Sequence, residues 1–259
     1  MPFLQGLLFH VPVVALGFMA VLLSVALSAI GVFICRKILP RHISKSHNEL
    51  IVAVFGAIAL AYTVLLAFVV VVSWQNFDKA KTHTEMEANC LVSLHRASSA
   101  FPEEFRDRLR PLIKDYTQVV VNEEWPMLAR GQESLKARGI LRKIWEVYTS
   151  YEPKTEKEKL FFAESLRKLD DMRELRRMRI IDSRSAIASI LWFVLIFGGL
   201  TTVGLTLFLW SESFTTHVVM ASLLAALIAV ILVTIASFNF PFTGSVSIGP
   251  ETFQEVIHF

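Results

Sequence analysis

The sequence predicts an all-α integral membrane protein with four transmembrane helices and a helical soluble domain between the second and third of them. Four apolar runs without an internal Asp, Glu, Lys or Arg each reach the roughly 20 residues that an α-helix needs to cross a bilayer. Nearly all of the chain's charge lies between the second and third runs. The four runs are 11–34, 50–74, 187–210 and 217–238.

The composition supports a membrane protein and argues against nucleic-acid binding. Hydrophobic residues make up 54% of the chain, and its mean hydropathy is +0.51, which is more apolar than soluble domains of this length usually are. The net charge is only +3, and basic residues of the middle segment alternate with acidic ones, as in 156–159. Such interleaving is typical of a solvated helix surface. We therefore expect the lipid bilayer, and no nucleic acid, as a partner.

Residues 1–75 form the predicted first transmembrane hairpin. A short loop with four basic residues, Arg36, Lys37, Arg41 and Lys45, joins spans one and two. The N-terminal residues lack a basic segment and a cleavage site, so we expect span one to be retained as an anchor rather than removed as a signal peptide.

Residues 76–186 form the predicted soluble domain, a bundle of helices, because strand-like alternation is missing and glycines are few. Thr155 and Glu158 have the spacing of a capping box, which marks a helix start. Trp125 and Pro126 are expected to end a helix. The predicted helices span 76–100, 103–124, 133–151 and 155–185, and the first and last are expected to continue without a break into spans two and three.

Residues 187–238 form the predicted second transmembrane hairpin, and residues 239–259 form a tail. Pro241, Phe242 and Gly244 give a turn signal directly after span four, and apolar residues follow them. We therefore expect the tail to fold back and pack on the bundle or on a neighbouring subunit.

The sequence contains no constellation that predicts catalysis. Motifs for a nucleophilic serine, for a nucleotide phosphate and for a dinucleotide are all missing. His83, Glu87 and Cys90 would line one face of a helix and could hold a metal there, but a surface or packing role explains them more simply. We therefore predict a protein that is not an enzyme and that uses no cofactor and no metal.

Span two carries the pattern that bears most on transport. The spans lack the intramembrane charges typical of proton relays and ion-coupled transporters, so a coupled pump is not expected. Phe55, Ala59, Tyr62 and Leu66 recur at helical spacing along span two. If the protein forms a pore, we expect this face to line it as an apolar constriction that gates by dewetting.

Four stretches resemble the bestrophin-like domain family, a group of four-span proteins distantly related to bestrophin anion channels. The resemblance covers most of the chain, and the stretches occur in the same order as in the family. They are His47-Asn48-Glu49 before span two, residues 66–71 within it, residues 124–127 in the soluble domain, and Pro241-Phe242-Thr243-Gly244 followed by Val246, Pro250, Glu251 and Phe253.

The resemblance implies a homo-oligomer, a pentamer in the bestrophins, whose second span lines one pore for an anion such as chloride. It also implies a multi-pass protein of the cell or inner membrane with a cytosolic soluble domain. The positive-inside rule alone leaves two orientations open, because the first loop favours an external domain and the arginines before span three an internal one. Calcium gating is not implied, because this tail offers only Glu251 and Glu255 where animal bestrophins carry an acidic cluster.

The arginines before span three, Arg176, Arg177, Arg179 and Arg184, would concentrate anions near the pore mouth if they face a vestibule. Alternatively, they pair with acidic residues of the same helix and anchor it to anionic lipid headgroups. A second hypothesis for the whole protein is a non-conducting membrane scaffold or sensor whose soluble bundle binds a protein partner.

Overall fold

The structure is a computed structural model that describes residues 6, 8–9, 11–38, 48–184, 186–209 and 211–257. These residues contain no β-strand, so the all-α prediction is confirmed. The loop residues Arg41, Lys45 and His47 lie outside the described residues. In chain order the helices are α1 (Val13–Ile38), α2 (Asn48–Ala97), α3 (Glu103–Val119), α4 (Trp125–Leu128), α5 (Leu135–Thr149), α6 (Glu156–Asp182), α7 (Ser189–Phe208), α8 (Phe214–Phe238) and α9 (Glu251–Ile257).

The chain divides into two compact units. The membrane unit comprises residues 1–75 and 186–239, and the soluble unit comprises residues 76–185 and 240–259. Four of the described helices, α1, α2, α7 and α8, are long and apolar enough to cross a membrane, which confirms the four predicted spans. Helix α2 contributes to both units as one element of 50 residues, about 75 Å long at 1.5 Å per residue.

In the membrane unit, α1 packs mainly against α8, and α7 packs against both. The start of α8 is capped by Ser213, whose hydroxyl oxygen accepts a hydrogen bond from the Thr216 amide at 3.3 Å. Arg36, near the end of α1, donates to the Ser213 carbonyl at 3.1 Å and lies over the Phe214 ring. These contacts fix the connection between α7 and α8 against the end of α1.

In the soluble unit, helices α3 and α5 pack together, and the tail adds α9 to α3. Helix α3 buries one face because its apolar residues recur at three and four positions. The Thr155 capping prediction is confirmed, since the Thr155 hydroxyl accepts a hydrogen bond from the Glu158 amide at 3.1 Å. The core includes Phe101, Phe105, Leu109, Ile113, Tyr116, Val120, Leu128, Ile144, Tyr148, Leu169, Met172, Phe242, Phe253 and Val256.

Two predicted helix boundaries are wrong. Helix α6 ends at Asp182 and α7 begins at Ser189, so the last soluble helix does not run unbroken into span three. Trp125 and Pro126 do not stop a helix, because a π-helical turn over Val120–Glu124 leads directly into α4. Proline has no amide hydrogen for the carbonyl four residues earlier. The wider turn accommodates this, with the Trp125 amide donating to the Val120 carbonyl five residues back.

Candidate pore helix and buried charge network

In the membrane unit, one face of α2 is buried against other residues of that unit. Tyr62 and Leu66 are each only 6% exposed. The Tyr62 hydroxyl donates a hydrogen bond to the Leu195 carbonyl on α7 at 2.8 Å. Its ring lies so close to Gly198 that a Cβ atom there would come within 2.6 Å of the ring. Glycine at this position therefore lets the tyrosine ring approach the backbone of α7.

The pore-lining role of Phe55, Ala59, Tyr62 and Leu66 stays a prediction, and the structure shows how these four side chains are packed. Tyr62 and Leu66 are buried in contacts within their own chain and do not face a free surface. Phe55 and Ala59 lie on the same side of α2 and are half-buried. The predicted set thus shares one face, as its spacing indicated, but that face points into the membrane unit.

The opposite side of α2 presents large apolar side chains outward. Leu60 and Phe68 are each 68% exposed, and Val64 between them is 48% exposed. Their spacing of four residues places them in one row, because an α-helix turns about 100° per residue. By the same rotation, Val64 points about 160° away from Tyr62. The row Leu60, Val64 and Phe68, here called the outer row, is therefore on a face of span two that the described residues leave uncovered.

Most of the hydrogen bonds that polar side chains make in the other spans go to backbone carbonyls of the same helix. Thr202 and Thr206 donate to carbonyls three or four residues earlier in α7. Buried His217 contacts the Thr206 carbonyl through Nε2 at 2.8 Å. A carbonyl oxygen only accepts, so Nε2 must carry a proton in this contact. The His217 contact therefore links α8 to α7.

The soluble unit contains a buried network of four charged side chains centred on Arg179. Arg179 is fully buried and donates through Nε to Glu87 at 2.7 Å and through Nη2 to Glu124 at 2.8 Å. Its guanidinium also lies over the rings of Trp125 and Phe253, at 5.3 and 5.4 Å from the ring centroids. Arg179 therefore joins α2, the π-helical turn and the tail helix α9.

The second arginine of the network completes the charge balance. Arg176 donates to Glu124 through Nη2 at 2.6 Å and to the Ser134 carbonyl at 3.2 Å. The Ser134 amide donates back to Glu124 at 3.1 Å. The two arginines neutralise Glu87 and Glu124, and Tyr116 donates its hydroxyl to Glu87 at 2.7 Å. These contacts satisfy the two carboxylates, whereas Nη1 of Arg179 is buried without a hydrogen-bond partner in the described part of the chain.

The charges of the network shift the pKa values of its members. Burial alone would raise the pKa of Glu124, but the positive charges of Arg179 and Arg176 outweigh it and hold that pKa below its usual value. Burial alone would lower the pKa of Arg179, but the charges of Glu87 and Glu124 raise it. Burial and the charge of Glu87 raise the pKa of Tyr116 well above its usual value. Glu124 and the two arginines are therefore ionised at neutral pH, and the Tyr116 phenol is not.

The four arginines predicted to face a vestibule divide into two pairs. Arg176 and Arg179 are buried in the network, where carboxylates of other elements hold them, so these two do not meet the condition of facing a vestibule. Arg177 is exposed and pairs with Glu174 of its own helix at 2.6 Å. Arg184 is also exposed. Only Arg177 and Arg184 thus keep an accessible charge.

The predicted alternative of a metal at His83, Glu87 and Cys90 finds no support in the arrangement of these side chains. Glu87 is occupied by Arg179 and Tyr116, and His83 contacts Asp182 through Nδ1 at 2.7 Å. Within the described part of the chain, no group of three or more His, Cys, Asp and Glu side chains is placed to hold a metal ion.

The network was missed in the sequence, although a signal for it exists. Arg176 and Arg179 follow Leu169 and Met172 at intervals of three or four residues and so fall on the buried face of α6. Charged residues in such a register are buried only when they are paired. The sequence alone does not identify Glu87 and Glu124 as the partners, because they lie 92 and 55 residues from Arg179.

Comparisons with known proteins agree with this architecture. A solved structure of a mutated bacterial bestrophin homologue from Klebsiella pneumoniae is similar with a TM-score of 0.71 at 12% identity, and the match covers 92% of this chain and 96% of that chain. A second structure of a bacterial bestrophin homologue from the same organism has a TM-score of 0.68 at 13% identity, with 93% and 96% covered. No curated protein matches the chain. At these identities the structural similarity establishes the fold.

The family is established by the sequence match. The model of the bestrophin-like domain matches residues 22–253, which includes all four spans from the middle of α1 onward, the soluble unit and most of the tail. With its four membrane-spanning helices, the chain is an integral membrane protein. It belongs to the bestrophin-like domain family.

Proposed function

We propose that the protein is an oligomeric, anion-permeable ion channel whose pore is lined by the outer row of α2. The observation that carries this proposal is that an uncharged membrane span buries its Tyr62 face and leaves Leu60, Val64 and Phe68 outward. Membership of a family that resembles the bestrophin anion channels supports the ionic function. The outer row replaces the Tyr62 face as the pore-lining candidate.

The physical basis is the behaviour of water in a narrow apolar passage. When several copies bring the outer rows of their second spans together around one axis, large apolar side chains form rings at three successive levels. Such rings close a pore by dewetting and open when the helices move apart by a small distance. A family resemblance to the pentameric bestrophins supports five copies, a chloride-like anion as the permeant ion and a cytosolic soluble unit.

Two exposed arginines are candidates for the electrostatic part of permeation. Arg177 and Arg184 line a surface cleft of about 640 Å³ on the soluble unit. Their charges would raise the local anion concentration if this cleft opens to the ion path. The Glu174 carboxylate offsets Arg177, so Arg184 is the stronger of the two candidates. Reversing the charge at Arg184 should therefore lower the anion-to-cation permeability ratio more than reversing it at Arg177.

The test is chloride flux or single-channel recording with the purified full chain in liposomes under a chloride gradient. Val64→Thr keeps the side-chain shape and adds a hydroxyl, which should favour wetting and increase conductance. Val52→Thr is the matched control: Val52 is similarly exposed but lies about 120° away around the helix. An increase for Val64→Thr alone supports the outer row as the constriction.

Two outcomes contradict the proposal in different ways. A chloride current that Val64→Thr and Val52→Thr change equally would remove the outer row from the pore and leave the channel function in place. Silence of the wild-type chain over a range of pH and calcium concentrations would favour the scaffold or sensor hypothesis.

A further inference from the structure

A basic cleft on the soluble unit shares no lining residue with the Arg179 network or with the cleft that carries Arg177 and Arg184. Its volume is about 530 Å³, within the range of small-molecule sites. Three of its lining residues, Arg106, Arg110 and Lys114, follow one another at intervals of four along α3, so they share one side of that helix. His95 on α2 and Val256 on α9 also line the cleft.

The cations of this cleft are not neutralised by neighbouring acids. Within the described residues, Arg106, Arg110 and Lys114 form no ion pair, and Arg110 instead donates to the hydroxyls of Ser98 and Ser99 at 2.9 Å each. Elsewhere on the unit, exposed arginines pair with acids three residues earlier in their own helix, as in Arg167–Glu164, Arg173–Asp170 and Arg177–Glu174.

The lining set is therefore electropositive at neutral pH. Asp107 is the one carboxylate that lines the cleft, against three permanent cations. Burial and the charge of Arg110 lower the pKa of His95, so that its imidazole is neutral at pH 7. Arg106 and Arg110 are half-buried, and Lys114 is exposed. Partly buried cations in a concave site attract anions more strongly than those of a flat surface.

The spacing of the cations selects the kind of anion. Successive members of the row are separated by about 6 Å along the helix axis, so the row from Arg106 to Lys114 extends about 12 Å. One phosphate group reaches two neighbours of this row, whereas two linked phosphate groups reach all three. Guanidinium groups bind phosphate oxygens in a bidentate manner, and a lysine adds a point charge.

We propose that this cleft is a binding site for an anion that carries at least two linked phosphate groups, held by Arg106, Arg110 and Lys114. The tail helix forms one wall through Val256, which is itself buried in the core. The site does not depend on the proposed channel function, because it lies wholly on the soluble unit and needs no ion path.

The test is calorimetric titration of the purified full chain in detergent with inorganic pyrophosphate, and with monophosphate for comparison. Arg106→Ala and Lys114→Ala should each weaken pyrophosphate binding by about tenfold, the effect of losing one charge-assisted contact. Arg108→Ala is the matched control, since Arg108 is an exposed arginine of the same helix that does not line the cleft. It removes the same charge and should leave the affinity unchanged.

Nuclear magnetic resonance of His95 gives a readout that is specific to the site. A bound anion stabilises the protonated imidazole, so pyrophosphate should raise the pKa of His95 in the wild type and not in Arg106→Ala. Equal weakening by Arg106→Ala and Arg108→Ala would overturn the proposal, since diffuse attraction would then explain binding. Absence of pyrophosphate binding at millimolar concentration would overturn it as well.

A second experiment distinguishes a free anion from a lipid headgroup as the source of the phosphate groups. Pyrophosphate is titrated into the chain in nanodiscs of neutral lipid and in nanodiscs that also contain a lipid with a doubly phosphorylated headgroup. An unchanged affinity in both supports a free anion, whereas competition that Arg106→Ala abolishes supports the lipid headgroup as the occupant.

Discussion

Replacing Glu124 by Gln tests whether the buried network holds the soluble unit together. The substitution keeps the shape of the side chain and removes one charge. Glu124 is fully buried and accepts hydrogen bonds from Arg176, Arg179 and the Ser134 amide. In the variant the amide nitrogen of Gln would face at least one guanidinium, so donors would oppose donors.

The magnitude follows from the charge balance of the network. The two guanidinium groups and two buried carboxylates sum to zero charge. The variant leaves Arg179 with Glu87 and leaves Arg176 with only the longer contact to the partly exposed Glu133, at 3.7 Å. Removing one partner from a buried ion pair costs about 3–5 kcal/mol of the free energy of unfolding, because a buried charge is left uncompensated. At about 2–4 °C per kcal/mol for a protein of this size, Tm should fall by roughly 6–20 °C.

The assay is thermal unfolding of the full chain in detergent, followed by circular dichroism. Glu174→Gln is the matched control, because it removes the same charge from a solvent-exposed pair with Arg177 and should leave Tm essentially unchanged. Adding Arg176→Met to Glu124→Gln should restore part of the lost Tm, since the network is then neutral again. Equal Tm shifts for Glu124→Gln and Glu174→Gln would refute the reasoning.

Three further predictions address the span contact, the tail and the response to acid. Gly198→Ala should destabilise the membrane unit by about 1–3 kcal/mol, because its Cβ would meet the Tyr62 ring. Gly204→Ala is the control, since a Cβ there meets nothing within 4 Å. Equal thermal stabilities of the two variants would contradict this. Phe253→Ala should lower the free energy of unfolding by about 3–5 kcal/mol, since its ring is fully buried, and an unchanged Tm would mean that the tail is not part of the core. Folding lowers the pKa of Glu124, so its contribution to stability is complete above the ordinary carboxyl pKa of about 4.3 and is lost as pH falls through the lower folded pKa. Glu124→Gln should therefore remove that part of the decrease in Tm at acid pH. An unchanged dependence of Tm on pH in the variant would contradict this.

The spans and the helical class could be predicted because they depend on properties that are local in sequence. A bilayer requires a run of apolar residues of a certain length, and 50–74 meets that requirement without reference to any other part of the chain. The Thr155 cap is local in the same sense. The end of the last soluble helix was harder to predict, because no proline or glycine follows Asp182, where α6 ends, before Ser189, where α7 begins.

The network and the π-helical turn depend on contacts between distant residues. A charge in the apolar register of α6 indicates that a partner exists, but the identity of that partner is a property of the folded unit. Pro126 similarly indicates that the regular helix cannot continue unchanged. Whether the chain then stops or adopts a wider turn depends on what stabilises the next turn, and here Trp125 packs against Phe242 and Phe253.

The packing of the face predicted to line a pore was not accessible from the sequence for a related reason. In a soluble helix the contrast between polar and apolar residues reveals which side is buried, but a span that is apolar all round has no such contrast. The spacing of Phe55, Ala59, Tyr62 and Leu66 correctly placed them on one face, yet it carried no information about what that face contacts.

In the membrane unit, one hydroxyl group and one glycine determine which face of α2 is buried. Leu195 offers its carbonyl to Tyr62, and the absence of a side chain at Gly198 gives the ring space beside the backbone of α7. A phenol hydroxyl in an apolar environment needs a partner, so this contact sets the rotation of span two about its own axis. Once that rotation is set, Val64 and its neighbours in the outer row must point away from the chain, where another copy or lipid covers them. The assignment of the outer row thus rests on the chemistry of its opposite face, and it holds for a channel and for a scaffold alike.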